Sequence, residues 1–311
     1  MSVSNHDAPH ARMMTKVAHL YHDRGLVQSE IAKTLGLSQA RVSRLLSAAE
    51  EAKIVRTVVA PPAGLYGQLE SEIEQAFQIA QVHIVDSDNE TEHQLADSLA
   101  RALVGAFEIL PIDNMNIGFA SQSNYLRRFV EYLTPFARTE AKQIVEILGD
   151  VANSTTAHAA SNATQRLAEL THAAPVYLRM PALAPTSGIR STLLENSPDA
   201  RECVDHFTAL DLVVFQIENS HSAAVDAPIE AAAQLNQRFI DSTGMAIETH
   251  SDERVIGISL EQLRRVPRRI GVSGGVSTHD ATLAALRGQW VNVLITDEET
   301  ASYVLRHRAS N

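Results

Sequence analysis

Residues 28–46, QSEIAKTLGLSQARVSRLL, carry apolar side chains at Ile31, Leu35 and Leu37, then at Val42, Leu45 and Leu46. Ile31 and Leu35 lie one turn apart on a helix, and Val42, Leu45 and Leu46 form the inner stripe of a second one. Gly36 interrupts the run where a tight interhelical turn needs a positive φ. Ala32 is small where a second helix crosses closely, and Ser38 suits the N-cap of a helix over roughly 38–51. The pattern predicts a helix-turn-helix, with a supporting helix before it around 11–23 on Met14, Val17, Ala18 and Tyr21. After it, IVRTVVAPP (54–62) reads as a short strand stopped by two prolines. A helical hairpin inside some other fold is the plainer reading of the same spacing.

Residues 64–79 repeat apolar positions at Leu65, Leu69, Ile73 and Phe77, a single stripe at intervals of four. That stripe predicts either a helix packed on the following domain or a dimerisation helix. From residue 80 onward, apolar runs rich in β-branched residues appear at 82–85, 115–120, 143–148, 174–180, 210–217, 268–275 and 290–296. Helical stretches are expected between them, at 93–109, 160–172, 229–242 and 279–288. Near-continuous apolar strands alternating with helices predict a parallel sheet covered on both faces, a Rossmann-like α/β domain. The domains expected are 1–60, a linker helix over 61–80, and a body over 81–311.

Such sheets bind ligands beyond the carboxyl ends of their strands. Those ends carry Ser121, Gln122, Ser123 and Asn124 after Gly118; Gln216 and Glu218 with Asn219 and Ser220; Gly274, Gly275, Thr278, His279 and Asp280; and Thr296, Asp297 and Glu298. Any one of these turns reads first as helix capping. Several at one edge read as a pocket for a polar ligand.

Charge separates the two parts. The chain has 26 Lys/Arg and 37 Asp/Glu, net −11, yet residues 1–60 hold eight of the former and five of the latter. The body is left with 18 against 32, or −14. A mildly basic head on an acidic body points to a polyanionic partner for the head alone. The predicted second helix turns Gln39, Ala40, Arg41, Ser43 and Arg44 away from its core, and arginine and glutamine are side chains that read base edges. Gln28, at the start of the first motif helix, is placed to touch a backbone phosphate, and Ser38, at the start of the second, belongs with the DNA-facing set. No apolar run approaches the ~20 residues a bilayer requires, and the N-terminus lacks the features of a secretory signal. Cys203 is the single cysteine, so no internal disulfide forms, and a cytoplasmic location is expected.

No catalytic constellation stands out. Nucleophile-elbow, phosphate-loop and zinc spacings are absent from the sequence. Cys203 with His206, and the polar turn HSDE (250–253), read as incidental and solvated. Neither a cofactor nor a metal is expected.

The stretches LYHDRGLVQSEIAKTLGLSQARVSRLLSAAEEAKIVR (20–56), RVIGISLEQLRRVPRRIGVSGG (254–275) and ALRGQWVNVLITDEETA (285–301) resemble the SorC family of bacterial sugar-responsive transcriptional regulators. The likeness covers nearly the whole chain. It implies a body similar in fold to sugar-phosphate isomerases and used as a sensor, an effector at the strand ends, operator DNA at the head, and a tetramer or dimer. At the pocket the chain departs from the family. It has Gln216-Ile217-Glu218 for a Gly-x-Gly, Gln122 and Asn124 for Gly and Thr/Ser, and Thr278 where a lysine is usual. Losing the lysine and gaining Glu218 disfavours a phosphate. The expected effector is therefore a neutral sugar, a polyol or a related metabolite, with Arg179 the remaining cation. An isomerase-like enzyme with an appended head is the alternative.

Overall fold

A computed structural model describes residues 8–52, 54–55, 66–87, 91–136, 140–151, 154–220 and 227–308, without the side chains of 8–9 and 154–159. The chain divides into two compact units, 1–60 and 61–311.

The first unit holds α1 (Ala8–His22), α2 (Gln28–Leu35) and α3 (Gln39–Glu51). Val17, Ile31, Val42 and Ala49 are wholly buried at its centre, joined by Met14, Ala18, Leu20, Leu45 and Leu46. Tyr21, expected on the inner stripe of α1, is 38% exposed, and Leu20 takes its place. Gly36 has φ +65° and the next amide, Leu37 N, donates to Ala32 O at 2.9 Å, so α2 ends in a left-handed turn. Ser38 Oγ accepts from Arg41 N at 3.3 Å and starts α3. Most of the strand expected over 54–62 lies outside the described residues.

The second unit opens with α4 (Gly67–Phe77) and β1 (Gln81–Val85). There follow α5 (Glu92–Glu108), β2 (Asn116–Phe119), α6 (Asn124–Tyr132), β3 (Gln143–Glu146), α7 (Ser154–Leu170), β4 (Ala174–Val176), α8 (Ser187–Glu195), α9 (Pro198–Asp205), β5 (Leu212–Gln216) and β6 (Glu218–Asn219). The remainder is β7 (Ala231–Leu235), β8 (Arg238–Asp241), β9 (Ala246–Ile247), α10 (Leu260–Arg265), β10 (Arg268–Val272), α11 (His279–Arg287), β11 (Val293–Asp297) and α12 (Glu298–Arg306). Seven strands form one parallel sheet in the order β1-β11-β10-β5-β2-β3-β4. Its five inner strands, β2, β3, β5, β10 and β11, are buried over most of their length, as the unbroken apolar runs require, while the edge strands β1 and β4 are only partly covered.

β1 is an edge strand. Its outward amides are met by α4: Val82 N donates to Glu74 Oε1 and Ile84 N to Glu70 Oε1, both at 2.9 Å. Ile73 and Phe77 bury the apolar stripe of α4 against the body's core, and the helix also packs on α12.

The helix expected over 229–242 is instead an antiparallel hairpin, β7–β8, within a four-stranded sheet β6-β7-β8-β9. Its alanines favour a helix, but Asn236 (φ +50°) and Gln237 (φ +65°) occupy a two-residue turn whose positive φ values match strand twist. Ala231 and Ala233 are buried, and β7 packs beneath α11.

Candidate functional site

In the head, the residues predicted to face outward do so. Gln39, Ala40, Arg41, Ser43 and Arg44 are exposed along one side of α3, while Val42, Leu45 and Leu46 are buried beneath. Ser38 is exposed and spends one oxygen lone pair on its cap. Gln28, the first residue of α2, is half-buried. Arg44 Nε donates to Ala40 O at 3.3 Å, leaving the terminal guanidinium nitrogens free of any such intrahelical bond. The face presents two arginines, a glutamine and two serines with no carboxylate among them.

In the body, the strand ends are stitched to one another along the C-terminal edge of the sheet. From β3 to β2, Gln122 Nε2 donates to Asp150 Oδ1 at 3.2 Å. From β2 to β5, Ser123 Oγ donates to Gln216 Oε1 at 2.6 Å. From β5 toward β10, Asn219 Nδ2 donates to Ser277 O at 2.7 Å. From β10 to β11, Gly275 N donates to Asp297 Oδ2 at 2.8 Å. These four bonds follow the spatial strand order, so residues far apart in sequence share a continuous rim.

Capping explains part of it. Ser123 Oγ accepts from Leu126 N and Asp297 Oδ1 from Thr300 N, starting α6 and α12. Thr278, buried, donates through Oγ1 to Gly275 O at 3.0 Å, closing the turn on itself. Gly274 is confined by packing: a Cβ there would lie 2.7 Å from Leu99 Cδ1 and 2.9 Å from Asp297 Oδ2. Gly118 is not at the rim. It sits inside β2, where a Cβ would lie 2.8 Å from Ile147 Cγ2 and 2.9 Å from Leu210 Cδ1, so it makes room for the core. Its assignment as an effector residue is corrected on that ground.

Capping does not explain the rest. Ser121 Oγ, Gln122 Oε1, Glu146 Oε1, Gln234 Oε1 and Thr296 Oγ1 are buried with no protein partner among the described residues. Buried polar atoms carry a free-energy cost unless something hydrogen-bonds them. Five of them around one sheet edge mark a place for a ligand rich in hydroxyls or for ordered water.

The rim is acidic. Glu146, at the end of β3, is 4% exposed; its Oε2 accepts from Leu178 N at 2.8 Å. Burial pushes its carboxyl above the usual range, Asp150 adds to the rise, and the Leu178 amide, the Thr164 hydroxyl and Arg179 oppose it. Glu218 is raised by burial as well, against the amide of Gln234, which donates to its Oε2 at 3.1 Å. Tyr125 lies among them. Its phenol is raised by burial first, then by the carboxylates of Glu92, Asp297 and Glu218. Glu146, Asp150, Tyr125 and Gln234 were not picked out from sequence. A carboxylate inside the apolar run QIVEIL was the available signal for Glu146.

Arg179 is exposed and lies over the Tyr177 ring, 4.7 Å from its centroid, beside a cavity of about 350 Å³ that Asp199 and Glu202 also line. Cys203 is wholly buried, its Sγ 3.4 Å from Glu146 O, and burial pushes the thiol far up, so it is no nucleophile. His206 meets Gln143 instead, 3.4 Å away. Asp252 of HSDE is not merely solvated: it pairs with buried Arg238 at 2.8 Å. Among the described residues no cluster of three or more His, Cys, Asp or Glu could hold a metal ion, and no helix is long and apolar enough to cross a membrane.

Residues 65–306 match the Sugar-bind family of sugar-binding domains. The chain is similar to the sorbitol operon regulator of Klebsiella pneumoniae, 25% identical over 316 residues and covering 95% of this chain and 98% of that protein. It is as similar to the transcriptional regulator LsrR of Enterobacter sp. (strain 638), 25% over 315 residues, covering 94% and 92%. The crystal structure of full-length SorC from Klebsiella pneumoniae superposes with a TM-score of 0.68 at 23% identity, over 95% of this chain and 99% of that one.

Proposed function

The chain belongs to the SorC family of sugar-responsive transcriptional regulators, and we propose that its head reads operator DNA while its acidic rim senses a neutral, polyhydroxylated effector. The observation that carries the effector reading is the chain of rim bonds with unpartnered buried oxygens beside it. Amide and carboxylate pairs such as Gln122–Asp150 and Glu218–Gln234 suit vicinal hydroxyls, which both donate and accept. A phosphate at the same place would meet Glu146, Asp150, Glu218 and Asp297, with Thr278 standing where a lysine would serve it.

For DNA, Gln39, Arg41, Ser43 and Arg44 are assigned to base edges, Ala40 to a thymine methyl, and Gln28 and Ser38 to the phosphate backbone. An excess of three positive charges on residues 1–60 supports weak binding by one head. Useful affinity then comes from a dimer or tetramer placing several heads on repeated half-sites, in the cytoplasm. The protein acts as a switch and not as a catalyst in this reading.

A thermal-shift panel on the full chain, covering sugars, polyols, sugar acids and sugar phosphates, tests the effector class. A ligand bound only by the folded state raises the melting temperature. Stabilisation by a neutral compound, lost on Gln122→Ala, is the expected result. Micromolar binding of a phosphorylated sugar at the rim, abolished by Thr278→Glu, would refute it.

A further inference from the structure

Beside the acidic rim, between α5, α6 and α7, lies a cavity of about 690 Å³ with the opposite lining. Arg127, Arg128 and Arg166 face it together with His93 and Asn162, against the single carboxylate of Glu131. Three guanidinia converge here on a body that carries 18 Lys/Arg against 32 acids. Their neutralisation is incomplete. Arg128 pairs with Asp97, yet its Nε is buried with no partner among the described residues. Among the described residues the Arg127 guanidinium makes one hydrogen bond, Nη1 to Gln122 O at 2.6 Å, and burial lowers its pKa while Glu131 raises it only through space. Arg166 reaches Glu169 at a loose 3.4 Å with both side chains more than half exposed. Planar guanidinium forks in a half-enclosed space suit a phosphate or carboxylate, which they engage two bonds at a time. The volume is that of a small-molecule site.

We propose that this cavity binds a phosphate or carboxylate group, as a second site adjoining the rim. The two sites share residues 122–127: Asn124 lines the cavity, Ser123 bonds Gln216, and Arg127 holds the carbonyl of Gln122, whose side chain meets Asp150. The anion is supplied either as a free ion or as the charged end of a sugar acid lying across both sites.

The test is thermal unfolding of the full chain in potassium phosphate and in potassium gluconate, with ionic strength held constant by potassium chloride. The wild type is compared with Arg127→Gln and Arg166→Ala. The expected result is a saturable rise over chloride of roughly 5–10 °C at a hundredfold excess over Kd, lost in both variants. A rise with phosphate assigns a free ion; a rise with gluconate alone assigns the charged end of a polyol. No rise over chloride with either salt overturns the proposal, and so does a rise that both variants retain. Arg166 is 56% exposed, so Arg166→Ala keeps the fold and decides the matter if Arg127→Gln does not fold. The reading of the rim as a polyol site is judged separately, by whether neutral compounds still stabilise Arg166→Ala.

Discussion

Asp297→Asn tests the clamp between the rim and α12. The carboxylate is wholly buried and accepts three hydrogen bonds: Thr300 N at 3.0 Å on Oδ1, Gly275 N at 2.8 Å and Thr300 Oγ1 at 2.6 Å on Oδ2. Asparagine has the same shape but one acceptor oxygen, and an NH2 replaces the other. Whichever way the amide turns, one backbone N–H, the buried one of Thr300 or the half-buried one of Gly275, then faces a donor. The Thr300 hydroxyl can rotate to accept, so its loss is small. One orphaned buried donor costs ~1–3 kcal/mol, and replacing a charge-assisted bond by a neutral one costs about 1 kcal/mol more, giving roughly 2–4 kcal/mol. In a domain of this size that lowers the melting temperature by roughly 4–16 °C. The sequence contains one tryptophan, Trp290, which is 2% exposed and donates Nε1 to Gly244 O at 2.8 Å. Its fluorescence in a urea titration of the full chain therefore follows the body and is silent on the head. A loss below about 1 kcal/mol at unchanged slope would mean that the Gly275 turn is held by something other than this carboxylate.

Arg44→Ala is expected to remove sequence-specific binding to an operator selected from genomic fragments. The cost is about 1–3 kcal/mol per head, with Trp290-detected unfolding unchanged; specific binding that survives in a gel-shift assay moves the reading residues elsewhere on α3. Glu146→Gln bears on pH. Burial raises the Glu146 carboxyl in the folded state, so its contribution to stability is complete below the unfolded value near 4.5 and is lost as pH rises through the folded one. The glutamine variant is then more stable than wild type at pH 7–8, with the gap closing toward pH 4.5; an equal gap at both ends of a denaturation series contradicts the assigned cause. Gln237→Gly relieves a non-glycine residue at φ +65° in the β7–β8 turn; the roughly 1–2 kcal/mol of left-handed strain removed, less the about 0.4–1 kcal/mol of unfolded-chain entropy that glycine adds, leaves an expected gain of roughly 0.5–1 kcal/mol by calorimetry.

The head was legible because its rules are local. Apolar spacing, Gly36 and Ser38 all act within a few residues, and they set α2, α3 and the exposed side of α3. The parallel strands were legible for a similar reason, since strands buried on both faces must be apolar almost without a break. What escaped was set by distance. Ala231–Ala233 read as helix by propensity, and only the pairing of β7 with β8 and the packing of α11 make them strand. Asp252 looked solvated because it lies in a polar turn and its partner, Arg238, begins β8, apart from it in sequence. The rim loops could be named, but the bond from Ser123 to Gln216 spans 93 residues and exists only once β2 and β5 are neighbours. Glu146 and Gln234 lie within β3 and β7, not in the turns after strand ends where small and hydroxylic residues signal a pocket.

Glu70 and Glu74 turn the outer edge of β1 from a bare row of amides into a closed border. A sensor fragment trimmed to begin at residue 81 would offer that row to any passing extended chain, a common route to insoluble product. Grafting this sensor behind another reading head therefore has a natural cutting point ahead of Tyr66. The helix that follows travels with the sheet as its selvedge, and chimaeras joined later, between α4 and β1, are expected to fray and precipitate.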